Sequence, residues 1–230
     1  MKKTNNLLTL TIYLTLATII CAIIFIYFFV KQLGPGLIEC AEDEVKHLTS
    51  LITNNCIEKY LEENPNINLL TIERNNNNEI KRIQYNTKIL NETRTKILDI
   101  LESDLDYLVK GDFMKLNLDI NKLSNEYYEK TEDGLLFLVS IGSSTKNPFF
   151  ANIGPKIPLN LKTLGDATAE ITTKLTEYGM NNALIEISIE LETTIIIHMP
   201  FLSKEVITKN TIPLNLELIQ GTIPGYYFNQ

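Results

Sequence analysis

The chain has 230 residues, of which 44% are hydrophobic and 21% are charged, and its formal net charge is −7. This length allows one globular domain with a further segment, and the acidic balance excludes the basic stripe that a nucleic-acid-binding groove requires. It also argues against simple electrostatic adsorption to anionic lipids. Three cysteines offer no disulfide framework, so the domain must be held together by its hydrophobic core.

The first predicted element is a transmembrane helix over residues 7–30, which contain no charged side chain. Such a helix is about 36 Å long, enough to cross a hydrocarbon core of about 30 Å. Lys2 and Lys3 precede it, whereas acidic residues dominate soon after Lys31, so the positive-inside rule leaves residues 1–6 as a short cytoplasmic tip. A cleaved signal peptide is the alternative, but its apolar region is normally only about 7–15 residues long.

A juxtamembrane amphipathic helix is predicted over residues 37–64, after a bend at Gly34-Pro35-Gly36. Its apolar side chains recur every three or four residues; they are Ile38, Ala41, Val45, Leu48, Ile52, Cys56 and Tyr60. Asn64-Pro65 ends the helix because proline disfavours a helical residue before it. Three arrangements stay open for this helix: a stalk on the anchor, a layer against a sheet, or a coiled-coil-like contact with a partner.

The extracytoplasmic domain is predicted over residues 65–230. Two short strands at 69–72 and 80–85 flank four asparagines, and Asn tolerates the positive φ values of a hairpin loop. A second amphipathic helix follows from about Thr87 to Lys110, with Gly111 as its C-cap. Residues 112–133 are polar without a clear period, and we interpret them as the most mobile or variable stretch.

From Gly134 onward, apolar and polar side chains alternate with period two, which predicts β-strands. The longest alternation covers residues 183–201, and the strand after it is predicted to return along the same apolar surface. That returning surface comprises Val206, Ile212, Leu214, Leu216 and Leu218. The strands are therefore expected to be long, antiparallel and strongly twisted.

The pentapeptide Ile-Pro-Leu-Asn-Leu occurs at residues 157–161 and again at 212–216. Proline cannot donate a hydrogen bond to a strand ladder, so each copy is expected at a strand start, an edge or a bulge. The flanking residues match poorly. The repeat therefore indicates two strands of similar construction and no internal duplication.

Glycine and proline mark the chain from residue 141 onward, after the alternating stretch that begins at Gly134. Its motifs are Ile141-Gly142, Thr145-Lys146-Asn147-Pro148, the run Asn152–Leu159, Gly165-Asp166-Ala167 and the run Tyr178–Ile189. Together with Pro200-Phe201, Ile212-Pro213 and the tail Gln220–Tyr227, this region strongly resembles the sporulation protein YunB family of endospore-forming Firmicutes. The resemblance is most specific over residues 141–227.

The resemblance implies a single-pass membrane protein that is made in the mother cell and needed to complete spores. Its outer domain would then face the space between the two forespore membranes. The resemblance implies no activity and no catalytic residue.

The best candidate for an interaction loop is Gly154-Pro155-Lys156, where glycine and proline fix a corner that displays one lysine. Such a corner can dock a partner or merely turn the chain. Turn propensities favour the second interpretation.

A candidate acidic face comprises Glu186, Glu190 and Glu192, spaced by even numbers along one predicted strand, together with Asp166 beside Gly165. These carboxylates could hold a cation or act on a glycan. Hydrolysis needs two carboxylates held across a substrate, whereas a row on one strand is typical of a solvated face. No catalytic set, cofactor site or metal-ligand spacing is visible.

The sequence thus predicts an α+β protein. A single N-terminal transmembrane helix precedes an extracytoplasmic domain with two helices and a long-stranded, mainly antiparallel sheet. The expected function is that of a membrane-anchored interaction or assembly factor in the envelope of the developing spore, without enzymatic activity. Its expected partners are other envelope or sporulation proteins or a second copy of the chain, and not nucleic acid. The alternative is a cell-wall or lipid-acting enzyme, or its ligand-binding subunit.

Overall fold

The computed structural model describes residues 2–28, 31, 34–76, 79–112, 114–116, 128–131, 134–145, 147, 149–163, 167–179, 182–199 and 202–221. The helices are α1 (Lys2–Phe28), α2 (Gly34–Glu63) and α3 (Thr87–Val109), and a short 3-10 helix covers Ile141–Thr145. The strands are β1 (Leu70–Arg74), β2 (Ile80–Tyr85), β3 (Tyr128–Thr131), β4 (Gly134–Ser140), β5 (Lys156–Thr163), β6 (Thr168–Glu177), β7 (Asn182–Met199) and β8 (Leu202–Gln220). The predicted α+β class with antiparallel sheets is confirmed.

The central strand of the larger sheet is β7, which pairs with neighbours on both edges. Along one edge it pairs with β8 over its whole length. Along the other edge β5 pairs near its C-terminal end and β6 pairs nearer its N-terminal end, so these two strands lie end to end. Strands β4 and β3 extend the sheet beyond β5, and β1 and β2 form a separate hairpin. All of these pairings are antiparallel, as the sequence predicts.

One face of this sheet is covered by α2 and α3. The alternation along β7 directs five of its six isoleucines to the covered face, and Ile189 and Ile197 are fully buried there. From the helices, Leu48, Ile52 and Ile97 join the same core. Burying each such side chain contributes about 1.5–3 kcal/mol to folding, so this layer is the main source of stability.

Helix α2 packs on the sheet, so the structure shows the second of the three arrangements that the sequence leaves open, a layer against a sheet. Its buried stripe is broader than predicted and includes Thr49 and Thr53, whose hydroxyls donate to helix carbonyls. The Asn210 side chain of β8 donates to the Thr53 hydroxyl at 3.4 Å and accepts from Ser50 at 3.1 Å. A polar seam therefore joins α2 to β8.

The predicted bend at Gly34-Pro35-Gly36 is wrong, because α2 begins at Gly34. Proline is accommodated in a first helical turn, where its missing N–H has no partner to lose. The glycines instead permit close packing. A Cβ atom on Gly36 would lie 2.5 Å from the carbonyl oxygen of Ser144.

The returning strand β8 contains a β-bulge that the alternation did not reveal. Ser188 of β7 pairs with Pro213 and Ile187 pairs with Asn215, which leaves Leu214 as an extra residue on β8. One extra residue reverses which face the following side chains occupy. The prediction that Leu216 and Leu218 face the buried surface is therefore wrong: they are 60% and 44% exposed, whereas Ile219 is buried.

Both copies of the repeated pentapeptide occupy the positions expected for proline. Pro158 is the third residue of β5, opposite Leu138 of β4. Pro213 lies at the bulge of β8, which pairs only with β7 among the described residues and is therefore an edge strand. The interpretation of two similarly built strands is nevertheless wrong, because the bulge turns Leu216 of the second copy outward, whereas Leu161 of the first copy is buried.

The smaller elements also agree with their sequence signals. The Asn86 side chain caps α3 by accepting from the backbone N–H of Ile89, and Gly111 has a φ of 67° just beyond the end of that helix. Hairpin β1–β2 forms around the asparagine run. The predicted mobile stretch at 112–133 lies mostly outside the described residues.

Helix α1 covers most of the predicted membrane segment. Its side chains from Leu10 to Phe25 are all exposed. Within the described part of the chain, no helix is both long enough and apolar enough to cross a membrane.

Candidate interaction surfaces

The connection between β4 and β5 folds back on itself through backbone hydrogen bonds. Gly142 donates to the carbonyl of Ile153 at 2.9 Å, and Ile153 donates to that of Phe150 at 2.9 Å. A Cβ atom on Gly142 would lie only 1.8 Å from the Phe150 carbonyl oxygen, so this position accepts no side chain without rearrangement. The described residues of this connection therefore form a corner that these backbone bonds hold.

The predicted interaction loop Gly154-Pro155-Lys156 closes this corner. Gly154 has a φ of 101°, a left-handed conformation that favours glycine, and the Pro155 carbonyl accepts from Ile141 at 3.2 Å. Lys156 is already the first residue of β5, opposite Ser140. The turn is thus observed, whereas docking of a partner on it stays a prediction.

Beside that turn lies a feature that the sequence reasoning missed. Within five residues, Phe149, Phe150 and Ile153 are 87%, 49% and 58% exposed. We call residues 149–153 the apolar loop. The adjacent phenylalanines in a glycine- and proline-marked connection were the available signal, since such a segment is a loop and its side chains lack a core to enter.

A cavity of about 310 Å³ lies between α2, β4 and the apolar loop. Its walls are formed by Cys40, Glu44, Phe137, Leu138, Val139, Ser140, Ser143, Ala151 and Asn152. This is the lower end of the size range of small-molecule pockets. Glu44 contributes the one carboxylate among these wall residues, and none of the predicted acidic residues takes part.

The predicted acidic face is an open row on β7. Glu186, Glu190 and Glu192 lie on the face turned away from the helices. The Glu192 carboxylate is 2.6 Å from Lys209, and Ser188 donates to Glu186 at 3.1 Å. Asp166 lies outside the described residues. The row therefore shows surface pairing and no carboxylates facing each other across a cleft.

Directly across the ladder from Glu190 is Glu170 of β6. Like charges at such positions repel one another. Lys209 offsets this repulsion, since the nearby glutamates 192, 190 and 170 raise the pKa of its ammonium group, with the hydrogen bond from Lys209 to Glu192 as the largest cause. Among the described residues, no group of three or more His, Cys, Asp or Glu side chains is arranged to hold a metal ion.

Cys56 lies in the core between α2 and α3. Its thiol is fully buried and donates to the carbonyl of Ile97 at 3.3 Å. Burial raises the pKa of the Cys56 thiol to about 12, and the nearby Asp104 adds to the rise. Because the thiolate is the reactive form, this cysteine behaves as a packing residue.

Two comparisons show which known proteins the chain is similar to. Residues 137–226 match the family described as Sporulation protein YunB. The sporulation protein YunB of Bacillus subtilis (strain 168) is 27% identical over 197 residues, covering 85% of this chain and 72% of that protein. The family match therefore agrees with the resemblance that the sequence shows. No solved structure matches the chain.

The region that matches the YunB family begins in β4 and includes the apolar loop, the turn at Gly154 and strands β5 to β8. The apolar loop with its turn and the acidic face of β7 therefore both lie within this region. The family supports a role in sporulation. The longer similarity to the Bacillus protein extends over 85% of the chain, beyond the region that the family match covers.

Proposed function

We propose that this protein is a membrane-anchored assembly factor in the envelope of the developing spore. A cytoplasmic tip precedes a single membrane span, and the α+β domain outside binds another envelope protein or a second copy of the chain. The membrane is proposed to be a forespore membrane derived from the mother cell. The proposal assigns no catalytic activity to the domain.

Support for the anchor comes from the whole segment 7–30 of the sequence, some of whose side chains lie outside the described residues. Thr15 and Thr18 within it donate their hydroxyls to helix carbonyls three residues earlier, at 2.9 and 2.8 Å. Hydroxyls paired in this way can be tolerated in a bilayer, where an unpaired polar group is costly.

The observation that carries the assembly function is the outer side of β8. This strand has 19 residues, and among the described residues it pairs only with β7, so its other edge offers backbone groups to a further strand. The bulge places Leu216 and Leu218 on the outward face beside that edge. An edge with adjacent exposed leucines is the kind of surface that binds a partner strand.

The test replaces both outward leucines by threonine, which keeps a strong strand preference. Leu216→Thr/Leu218→Thr is expected to weaken partner binding by about tenfold or more and to lower spore yield, because two apolar contacts are lost. Leu175→Thr is the matched control: Leu175 is 65% exposed and lies on the opposite face of the sheet.

Partner binding is measured by cross-linking the tagged full-length protein in sporulating cells and quantifying what co-purifies. Loss in the double variant with retention in Leu175→Thr supports the proposal, provided that both proteins accumulate equally. Unchanged co-purification and spore yield in the double variant would remove the assembly surface from β8. Equal loss in both variants would show a nonspecific effect of reduced hydrophobicity.

A further inference from the structure

We propose that the apolar loop, Phe149–Ile153, is a second membrane contact that inserts into the outer surface of the bilayer. This inference rests on the membrane anchor proposed above and adds a surface of the folded domain to it. The loop would hold the domain against the lipid surface instead of leaving it free on a tether.

Exposure of the loop is the first argument. Phe149 is 87% exposed and Ile153 is 58% exposed, although large apolar side chains usually find a core. The backbone around them is fixed by the bonds from Gly142 to Ile153 and from Ile153 to Phe150, at 2.9 Å each. The side chains are therefore held outward by a rigid turn, an arrangement suited to insertion into an interface.

The second argument is the place of this turn in the domain. The 3-10 helix that begins the connection packs on the first turn of α2, where Gly36 comes so close to Ser144 that a Cβ would lie 2.5 Å from its carbonyl oxygen. Only five residues separate Phe28, the end of α1, from Gly34, the start of α2. A chain of this length reaches at most about 20 Å, so the corner lies close to the outer end of the anchor.

The third argument is the chemistry of the anchor's outer end. Lys31 donates to the Tyr27 hydroxyl at 3.2 Å and lies 5.5 Å from the centre of its ring. Tyrosine and lysine at the end of an apolar helix are typical of the boundary between lipid and water. The acidic balance of the domain disfavours adsorption by charge, so an apolar contact is the mode of lipid binding that this end of the domain offers.

The chain contains no tryptophan, so a single introduced indole reports its own surroundings. The full-length Phe149→Trp variant is reconstituted in vesicles of phosphatidylethanolamine and phosphatidylglycerol, with or without brominated acyl chains. The control is Tyr178→Trp, an exposed aromatic in the turn before β7. Tyr178 precedes the N-terminal end of β7, whereas the apolar loop lies toward the other end of this strand. The 18 residues of β7 extend over about 55 Å.

The expected result is quenching of Phe149→Trp by brominated lipid that exceeds quenching of Tyr178→Trp by about twofold or more, with a blue-shifted emission. Phe150→Trp provides a second reporter in case one position perturbs the turn. Equal quenching at positions 149, 150 and 178 would overturn the inference and would favour a protein as the occupant of the loop.

Flotation of the same vesicles, before and after alkaline carbonate extraction, separates this inference from the anchor. Retention after extraction without quenching at position 149 leaves the anchor standing and removes the loop contact. Quenching at position 149 with release by carbonate leaves the loop contact standing and removes the anchor. Absence of the protein from floated vesicles removes both.

Discussion

Asp104 lies between α3 and α2 with 3% of its surface exposed, and its Oδ2 atom has no hydrogen-bond partner among the described residues. Burial raises the pKa of this carboxyl, and Lys59 acts in the opposite direction. An acid whose pKa is higher in the folded state costs no stability while it is protonated in both states. Its cost appears as pH rises above the unfolded value of about 3.9 and is complete above the folded value.

Asp104→Asn is therefore expected to stabilise the protein at neutral pH by about 1 kcal/mol, because it removes a buried charge with little change in shape. The gain should shrink as the pH falls toward 4, where the aspartic acid is itself neutral. Urea unfolding of both forms across this pH range measures it. Asp99→Asn on the exposed side of α3 is the control; a gain there of similar size would contradict the assignment to Asp104.

Two glycines at the start of α2 differ in what surrounds them. A Cβ on Gly34 would meet only the flexible Cδ1 of Leu202, at 2.6 Å, whereas one on Gly36 would meet the backbone of Ser144, with its Cα at 2.9 Å. Gly36→Ala is therefore expected to destabilise the fold by about 1–3 kcal/mol through overpacking. Gly34→Ala should be close to neutral, since a leucine side chain can move and alanine favours the helix.

Thermal unfolding of the two alanine variants in the same buffer provides the comparison. Equal midpoints would show that the contact between α2 and the 3-10 helix is looser than the geometry indicates. A lower midpoint for Gly36→Ala alone would confirm that the corner carrying the apolar loop is fixed to this helix.

At the level of elements, the bulge in β8 determines which of two neighbouring side chains contributes more to stability. A regular strand without the bulge would predict the opposite order. Ile219 is buried against Ile185 and Ile187, whereas its neighbour Leu218 faces outward. Ile219→Ala should cost about 2–4 kcal/mol of unfolding free energy, and Leu218→Ala should cost less than about 1 kcal/mol. A larger cost for Leu218→Ala in urea unfolding would mean that β8 continues without the bulge.

This strand also marks the limit of what the sequence predicts. Period-two alternation identifies β7 and β8, but the position of a bulge depends on pairing between two strands. Pro213 indicates a strand start, an edge or a bulge, but it does not identify Leu214 as an extra residue. The start of α2 differs from the prediction for a related reason: glycine and proline indicate a bend locally, whereas here Gly36 permits close packing against Ser144.

The candidate surfaces were predictable to different degrees. The turn at Gly154 follows from glycine and proline chemistry, and the open row of glutamates follows from even spacing along one strand. The exposure of Phe149 depends on whether the folded domain provides a core within reach, which alternation and turn propensities do not encode. The assembly surface at Leu216 and Leu218 depends on the bulge, so it cannot be predicted until the position of the bulge is known.

At the scale of the whole molecule, the two proposed contacts lie toward opposite ends of β7. The start of β8 meets α2, where Lys204 pairs with Glu42 and, together with Lys46, lowers the pKa of that carboxyl. The apolar loop packs near the same end of α2. The outward leucines 216 and 218 lie beside the other end of β7, opposite Glu186 and Leu184. A domain held to the membrane at one end would thus present its assembly surface away from the lipid.

The separation of α1 from the folded core predicts how the protein responds to removal of residues 1–33. The described side chains of α1 from Leu10 to Phe25 are exposed, and the core is built from α2, α3 and the sheets. The remaining chain should therefore fold alone, with an unfolding midpoint within about 3 °C of the full-length protein in the same detergent, because few contacts are lost.

The shortened chain should also stay in solution without detergent, whereas the full-length protein should need detergent or lipid, because residues 7–30 are mostly apolar and carry no charged side chain. Circular dichroism and sedimentation of both forms measure folding and solubility together. An unfolded shortened chain would show that α1 is part of the domain's core. A full-length chain that dissolves as a monomer without detergent would contradict the proposed anchor and would leave the folded domain as the only source of membrane binding.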